Sequence, residues 1–186
     1  TQNPFESEGT FPLPEAQLDR FLVHSIVNYP SVEAERQILD AHANNSLVND
    51  KTSSSNVMSA KTLEAVSKKA KNIRVEDSIL SAIADFVRMT RPADPSCPAQ
   101  LRSAIWYGAG PRAGLALITT CKALALMQQS ETVRWSHVRR MAKPVMRHRI
   151  KLAAHAVRDG ITEETIIETL LDRVQADRGN QALGLE

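Results

Sequence analysis

Two arginines stand at places in the sequence where a guanidinium group could bind an anion. Arg112 follows Gly108-Ala-Gly-Pro111 and opens an apolar stretch that continues to Met127. Proline suits the first position of a helix, so this pattern predicts that Arg112 lies in a first helical turn. The helix dipole disfavours a cation there, unless an anion binds both the arginine and the free backbone N–H groups. The pattern therefore predicts a phosphate site at Arg112, and the alternative is an arginine that only extends into solvent.

Arg20 is the second candidate, directly before an apolar stretch. Residues Phe21–Tyr29 are rich in β-branched and apolar types and end before Pro30, which is typical of a strand. A single strand is unstable without a partner, so we expect its sheet to be formed by residues upstream of this chain. Arg20 would then lie at the rim of that sheet. The alternative is a salt bridge to Asp19 or Glu15.

The elements that position these arginines are predicted to be mainly helical. The 186 residues are 42% hydrophobic but only 4% aromatic, with 7 glycines, which is typical of a globular, helix-rich protein. Caps and apolar spacing predict only helices from residue 31 onward. The predicted helices are Ser31–Ala43, Ser59–Lys71, one from Asp77 that ends by Pro92, the Gly108–Met127 stretch, Arg134–Ala156 with a kink at Pro144, and one from Thr162 to about Val174.

Composition gives no support for several other functions. A net charge of +2 is too small to indicate a nucleic acid or an anionic membrane as a partner. No apolar run approaches the ~18 residues of a membrane span. The two cysteines have no C-x-x-C spacing, and Cys121 on the apolar helix is predicted to be a buried thiol. The five histidines lack the spacing of a ligand set, so no metal site is predicted.

Several short stretches carry a family resemblance, in order along the chain. They are Thr1-Gln-Asn-Pro4, Glu8-Gly-Thr10, Pro12–Phe21, Arg88-Met-Thr-Arg91, Gly108–Ala113 and Arg147-His-Arg-Ile150. Together they resemble the second half of the ATPase core and the lid of the MoxR family of AAA+ proteins. The resemblance implies a mainly α fold, in which a helical AAA+ lid follows the C-terminal piece of an α/β core.

The same resemblance implies a division of the chain and a role for three residues. Residues 1–31 would be the end of the ATPase core with its last strand, 32–174 an all-helical lid, and 175–186 a tail that can include a tag remnant. Asn3 would be the sensor 1 polar residue, and its alternative is an Asx turn before Pro4. Arg20 would be the arginine finger, which reaches phosphates of the next subunit. Arg112 would be the sensor 2 arginine, which contacts phosphate in its own subunit.

The function implied is that of a ring ATPase. The longer parent would bind ATP and Mg²⁺ at the interfaces of a ring, most simply a hexamer, and couple hydrolysis to chaperone-like remodelling of partners with a von Willebrand factor A domain. It would be cytoplasmic and would not bind nucleic acid. The 186 residues contain no G-x-x-x-x-G-K-[ST] loop, so this chain alone is expected to be inactive and to bind no cofactor. The alternatives are the lid of a magnesium chelatase-like or helicase-like ATPase, and a non-catalytic helical interaction module.

Two departures from the family pattern concern helix starts. Gly110 stands where the family usually has serine, and Arg134-Trp-Ser-His137 replaces an acidic Thr-Pro-Glu-Asp. The second change makes one helix start basic and aromatic. The basic run from Arg134 to Lys151 is predicted to be a solvated face, and its alternative is a contact with nucleic acid.

Overall fold

A computed structural model describes residues 13–44 and 58–179. Asn3, most of the loop before Arg20 and the last residues of the tail lie outside these described ranges. The elements within them are, in chain order, α1 (Glu15–Leu18), α2 (Val32–Ala43), α3 (Ala60–Asn72), α4 (Asp77–Met89), α5 (Ala99–Arg102), β1 (Ile105–Tyr107), α6 (Pro111–Met127), α7 (Trp135–Met146), β2 (Lys151–Leu152), α8 (Ala154–Arg158) and α9 (Glu163–Arg178). The mainly α fold is confirmed.

The chain divides into two compact units, and the smaller comprises residues 25–68. Its helix α2 begins as predicted, because the Ser31 hydroxyl accepts a hydrogen bond from the Ala34 N–H at 3.2 Å. Ser59 caps α3 in the same way, with the Thr62 N–H at 3.1 Å. No residue of α2 or α3 is buried.

The larger unit, residues 1–24 and 69–186, contains the apolar core. Helices α4, α6, α7 and α9 pack against one another around it. The buried residues of α6 recur at helical spacing along one face and are Ala113, Ala116, Leu117, Thr120, Cys121 and Ala125. This confirms the central position predicted for α6, although its ends are less buried than the apolar pattern indicates. Leu115 is 65% exposed and Met127 is 81% exposed.

A two-stranded sheet replaces part of a predicted helix. The prediction of one helix over Arg134–Ala156 is wrong, because α7 contains Pro144 but ends at Met146. The chain then turns and forms β2, which pairs antiparallel with β1. The pairing buries Ile105 against Leu152, its partner in the register. These strands of two and three residues are too short for a sequence pattern to reveal.

The predicted strand Phe21–Tyr29 is absent from the structure. The segment has no strand beside it within the described ranges, and sheet hydrogen bonds require one. The first part of the segment is held instead by backbone hydrogen bonds from the Phe21 N–H to the Leu18 carbonyl at 3.1 Å and from the His24 N–H to the Pro144 carbonyl at 2.7 Å. Phe21 remains 55% exposed and Leu22 remains 48% exposed.

Candidate functional site

The loop before α6 is fastened to the end of α4. Thr90 is buried, and its hydroxyl accepts a hydrogen bond from the Ala109 N–H at 3.0 Å. The Arg91 Nε donates to the Ala109 carbonyl at 2.9 Å. A Cβ added to Gly108 would lie 2.2 Å from the Thr90 carbonyl oxygen, so this close approach needs glycine. A Cβ added to Gly110 would meet nothing within 4 Å, so the serine usual in the family would fit there.

Arg112 lies in the first turn of α6, as predicted. Pro111 is the first helical residue, and no side chain caps this helix start. The Arg112 side chain is 62% exposed and forms an ion pair with Asp19, with Nη1 and Oδ2 3.2 Å apart. An exposed ion pair of this kind contributes about 0–1 kcal/mol, so the guanidinium remains available to another anion.

Arg149 organises the site from the other side. Its side chain is only 2% exposed, and its Nε donates to Asp19 Oδ1 at 3.1 Å. Its Nη2 donates to the carbonyls of Asp19 at 3.0 Å and Phe21 at 2.5 Å, and its Nη1 donates to the carbonyls of Leu22 and Val145. Burial lowers the pKa of the Arg149 guanidinium, and the hydrogen bond to Asp19 opposes that change. An arginine stays charged under both influences.

His148 gives the same segment a further contact. Its Nε2 lies 3.1 Å from the Phe21 carbonyl oxygen, so this nitrogen carries the proton and donates. Burial lowers the pKa of His148, and the hydrogen bond to Phe21 acts in the opposite direction. The neutral imidazole is therefore the form that the folded protein favours.

Residues 19–22 form a turn, in which Arg20 is exposed. The Arg20 side chain has no ion pair within residues 13–44 and 58–179. The salt bridges considered as the alternative do not form. Asp19 pairs with Arg112 and Arg149, and Glu15 pairs with Lys151 at 3.4 Å.

An open cleft of about 220 Å³ brings these residues together. It is lined by Asp19, Arg20, Leu22, Arg112, Leu115, Ala116, Thr119 and Arg149. Three guanidinium groups thus surround one carboxylate, which leaves the cleft positively charged and suited to an anion. Among the residues that the structure describes, no group of three His, Cys, Asp or Glu side chains could hold a metal ion.

The basic run on α7 faces the acidic side of α9. Arg139 pairs with Asp172 at 2.8 Å and with Glu168 at 3.2 Å. Lys143 and Arg147 likewise form ion pairs with carboxylates of α9, at 2.7 and 3.0 Å. These cations are neutralised within the chain, so they do not form a free basic surface for nucleic acid.

The start of α7 departs from the family pattern yet is well capped. His137 Nδ1 accepts a hydrogen bond from the Arg134 N–H at 3.0 Å, and its Nε2 lies 2.9 Å from Gln128 Oε1. The histidine therefore takes the role that an acidic or amide side chain usually has three residues into a helix. Burial, helped by the nearby Arg134 charge, lowers the pKa of His137.

Sequence reasoning found two of the three arginines in the cleft and missed how the third is used. The sequence places Arg149 only in a basic run and in a family motif. It offers Asp19 only as an alternative partner of Arg20. The sequence around Arg149 carries no local signal of its burial, because arginine is rarely buried unless it is paired. The contacts between Arg149 and residues 19–22 depend on the tertiary fold.

None of the described helices combines the length and apolar character needed to cross a membrane.

Comparisons with known proteins agree with this architecture. Residues 100–170 match the AAA lid domain, and residues 1–23 match the ATPase family associated with various cellular activities (AAA). Chaperone MoxR1 of Mycobacterium tuberculosis is 33% identical over 97% of this chain and 46% of its own length. The uncharacterized protein YeaC of Bacillus subtilis is 31% identical over 94% of this chain and 51% of its own length.

A solved structure gives the same result. The crystal structure of an ATPase from Cytophaga hutchinsonii superposes with a TM-score of 0.77 at 31% identity, over 92% of this chain and 51% of that one. The chain thus spans about half the length of the relatives it matches. The helical fold, the two family matches and these relatives agree, and we conclude that the chain belongs to the MoxR-type AAA+ ATPases and carries their lid domain.

Proposed function

We propose that this chain supplies the lid and the phosphate-facing arginines of a longer, ring-forming ATPase that remodels partner proteins. The observation that carries the proposal is the cleft in which Arg20 and Arg112 both present exposed guanidinium groups. Each guanidinium group can donate two parallel hydrogen bonds to a phosphate group and can neutralise the charge that develops during phosphoryl transfer. The family membership supports ATP as the source of that phosphate.

Arg20 and Arg112 have different proposed roles. Arg20 is the arginine finger, because it is exposed and has no partner of its own within the described ranges. Arg112 is the phosphate-binding arginine of the lid, because it opens a helix whose start no side chain caps. Asn3 stays a predicted sensor 1 residue outside the described ranges. The family resemblance implies that Arg112 contacts phosphate within its own subunit.

The remaining parts of the proposal rest on the family. The longer protein would bind ATP with Mg²⁺, and this chain contributes no metal ligand set from its described residues. It would form a ring, with six subunits as the simplest case, and act on proteins with a von Willebrand factor A domain in the cytoplasm. The 186 residues lack a G-x-x-x-x-G-K-[ST] loop, so the proposal assigns hydrolysis to the longer protein only.

Affinity and turnover measured separately on the full-length protein test these roles. Arg112→Ala is expected to weaken binding of a fluorescent ATP analogue about tenfold, because it removes a charge-assisted contact with phosphate. Arg20→Ala is expected to lower turnover by about 10³-fold and to leave that affinity within about twofold, because a finger acts in the transition state. If both variants bind and hydrolyse ATP normally, the chain is better described as a helical interaction module.

One further assay separates the ring ATPases from each other. A helicase-like enzyme would hydrolyse ATP faster when DNA is added, and this stimulation would fall steeply as salt is raised. The ion pairs between α7 and α9 favour indifference to DNA. Turnover that does not change with DNA is therefore the expected result.

A further inference from the structure

Asp19 is shared by two arginines whose surroundings differ. One carboxylate oxygen accepts from Arg149 Nε at 3.1 Å, and the other accepts from Arg112 Nη1 at 3.2 Å. The Arg149 side chain is 2% exposed, whereas that of Arg112 is 62% exposed. The carboxylate therefore joins a cation that is fixed in the fold to a cation that can move towards an incoming anion.

Arg149 also determines where the backbone runs on both sides of Arg20. Its guanidinium donates to the carbonyls of Asp19, Phe21 and Leu22, the residue before Arg20 and the two after it. Within the described ranges, the Arg20 side chain contributes no ion pair that would hold this turn. The position of Arg20 thus depends on a side chain 129 places later in the sequence (149 minus 20).

We propose, resting on the function proposed above, that Arg149 and Asp19 are positioning residues that link the two phosphate-facing arginines. Arg149 holds the turn that carries Arg20. Asp19 holds Arg112 until a phosphate group displaces the carboxylate from that guanidinium, which is feasible because both anions bind guanidinium in the same way and the Arg112–Asp19 pair is exposed. When phosphate binds Arg112, Asp19 would keep only its ion pair with Arg149. Because Arg149 also holds the turn that carries Arg20, the position of Arg20 would then respond to phosphate at Arg112.

The role of Arg149 can be isolated in mixed rings of the full-length protein. One subunit carries an inactivated phosphate loop and can only donate its Arg20, and the other keeps an intact loop but carries Arg20→Ala. Introducing Arg149→Lys into the donor is expected to lower turnover of the mixture about tenfold or more, with KM for ATP unchanged, because lysine keeps the charge but cannot reach the same carbonyls. Arg139→Lys alters a cation whose ion-pair partners, Glu168 and Asp172, lie on α9 and not in residues 19–22, so this matched control should leave turnover unchanged.

The role of Asp19 predicts a gain in binding. Asp19→Asn removes the anion that competes for Arg112, so the affinity of the intact ring for a fluorescent ATP analogue should rise about two- to fivefold. The gain should disappear in the double variant Asp19→Asn with Arg112→Ala. A residue with only a structural role would weaken binding when changed, and would not strengthen it through Arg112.

The outcomes distinguish this inference from the proposed function. If Arg112→Ala and Arg20→Ala have no effect, the proposed function fails. If they act as proposed but Asp19→Asn does not tighten binding and the Arg149→Lys donor is fully active, this inference is overturned. Thermal unfolding of each variant shows whether it is folded, and if Arg149→Lys does not assemble, the result with Asp19→Asn decides.

Discussion

Arg112 and Arg20 line one cleft, but the molecule supports them by different means. Arg112 belongs to a helix whose inner face, from Ala113 to Ala125, is buried in the apolar core, and its preceding loop is fastened by Thr90 and Arg91. Arg20 lies in a turn whose neighbours Phe21 and Leu22 are about half exposed. That turn is held by the side chains of Arg149 and His148.

This difference determines which changes can displace each arginine. Packing of apolar groups is spread over many contacts, so the position of Arg112 should fail only with the fold. A few charge-assisted hydrogen bonds hold the turn of Arg20, so its position can change while the helical core stays intact. The arginine proposed to act on a neighbouring subunit is therefore the one that local contacts can adjust.

The largest expected loss of stability comes from disrupting the loop that precedes Arg112. Gly108→Ala should destabilise the protein by about 3 kcal/mol, because its Cβ would overlap the backbone of Thr90 and Arg91, which cannot move aside easily. Gly110→Ala should change stability by less than about 0.5 kcal/mol, because the space around it is open. Denaturant unfolding of the two variants measures the contrast, and equal losses would contradict the close approach at Gly108.

A smaller effect is expected on the pH dependence of stability, through His137 at the start of α7 and His148 beside the turn of Arg20. The pKa values of His137 and His148 are lowered in the folded protein, so the unfolded chain takes up protons first as pH falls. The stabilisation from their neutral forms is complete above about pH 6.5 and is lost as pH falls below it, at no more than about 1.4 kcal/mol per pH unit for each histidine.

Glutamine variants assign that pH dependence. His137→Gln keeps an acceptor for the Arg134 N–H and should remove part of the acid sensitivity of unfolding. His148→Gln should instead reduce the acid sensitivity of the turn that carries Arg20. Amide hydrogen exchange at His24, whose N–H donates to the Pro144 carbonyl, measures the opening of this turn. If neither variant changes the profile between pH 7 and pH 5, the histidines do not account for it.

The smallest effect is expected at the ion pairs between α7 and α9. Arg139→Ala removes ion pairs with Glu168 and Asp172 that are partly exposed, so it should cost less than about 1 kcal/mol, and less still in high salt. Turnover of the full-length protein should not change. Loss of turnover without loss of stability would show that this helix face takes part in function.

The sequence predicts the helices well because their signals are local. Ser31, Ser59 and Thr162 each accept a hydrogen bond from the N–H three residues on, as their positions indicate. Cys121 is buried as predicted, and burial raises the pKa of its thiol to about 12. The last helix runs on to Arg178, beyond the predicted end near Val174, because no breaker stops it earlier.

The site is only partly predictable, because its connections are not local. A proline and glycines mark the start of the helix that carries Arg112, and this start is where the structure has it. Nothing in the local sequence relates Arg149 to residues 19–22, which are brought beside it by tertiary packing. The strand predicted at Phe21–Tyr29 shows the same limit, because a run of β-branched and apolar residues predicts an extended backbone but cannot supply the neighbouring strand.

The most direct test of the central claim is ATP turnover by mixed subunits of the full-length protein. One subunit carries Arg20→Ala with an intact phosphate loop, and the other has an inactivated phosphate loop but keeps Arg20. The account predicts that each is inactive alone and that mixing restores turnover, because Arg20 acts on the nucleotide of the neighbouring subunit. Full activity of the Arg20→Ala ring by itself would contradict the account and would leave this part of the protein as a binding scaffold.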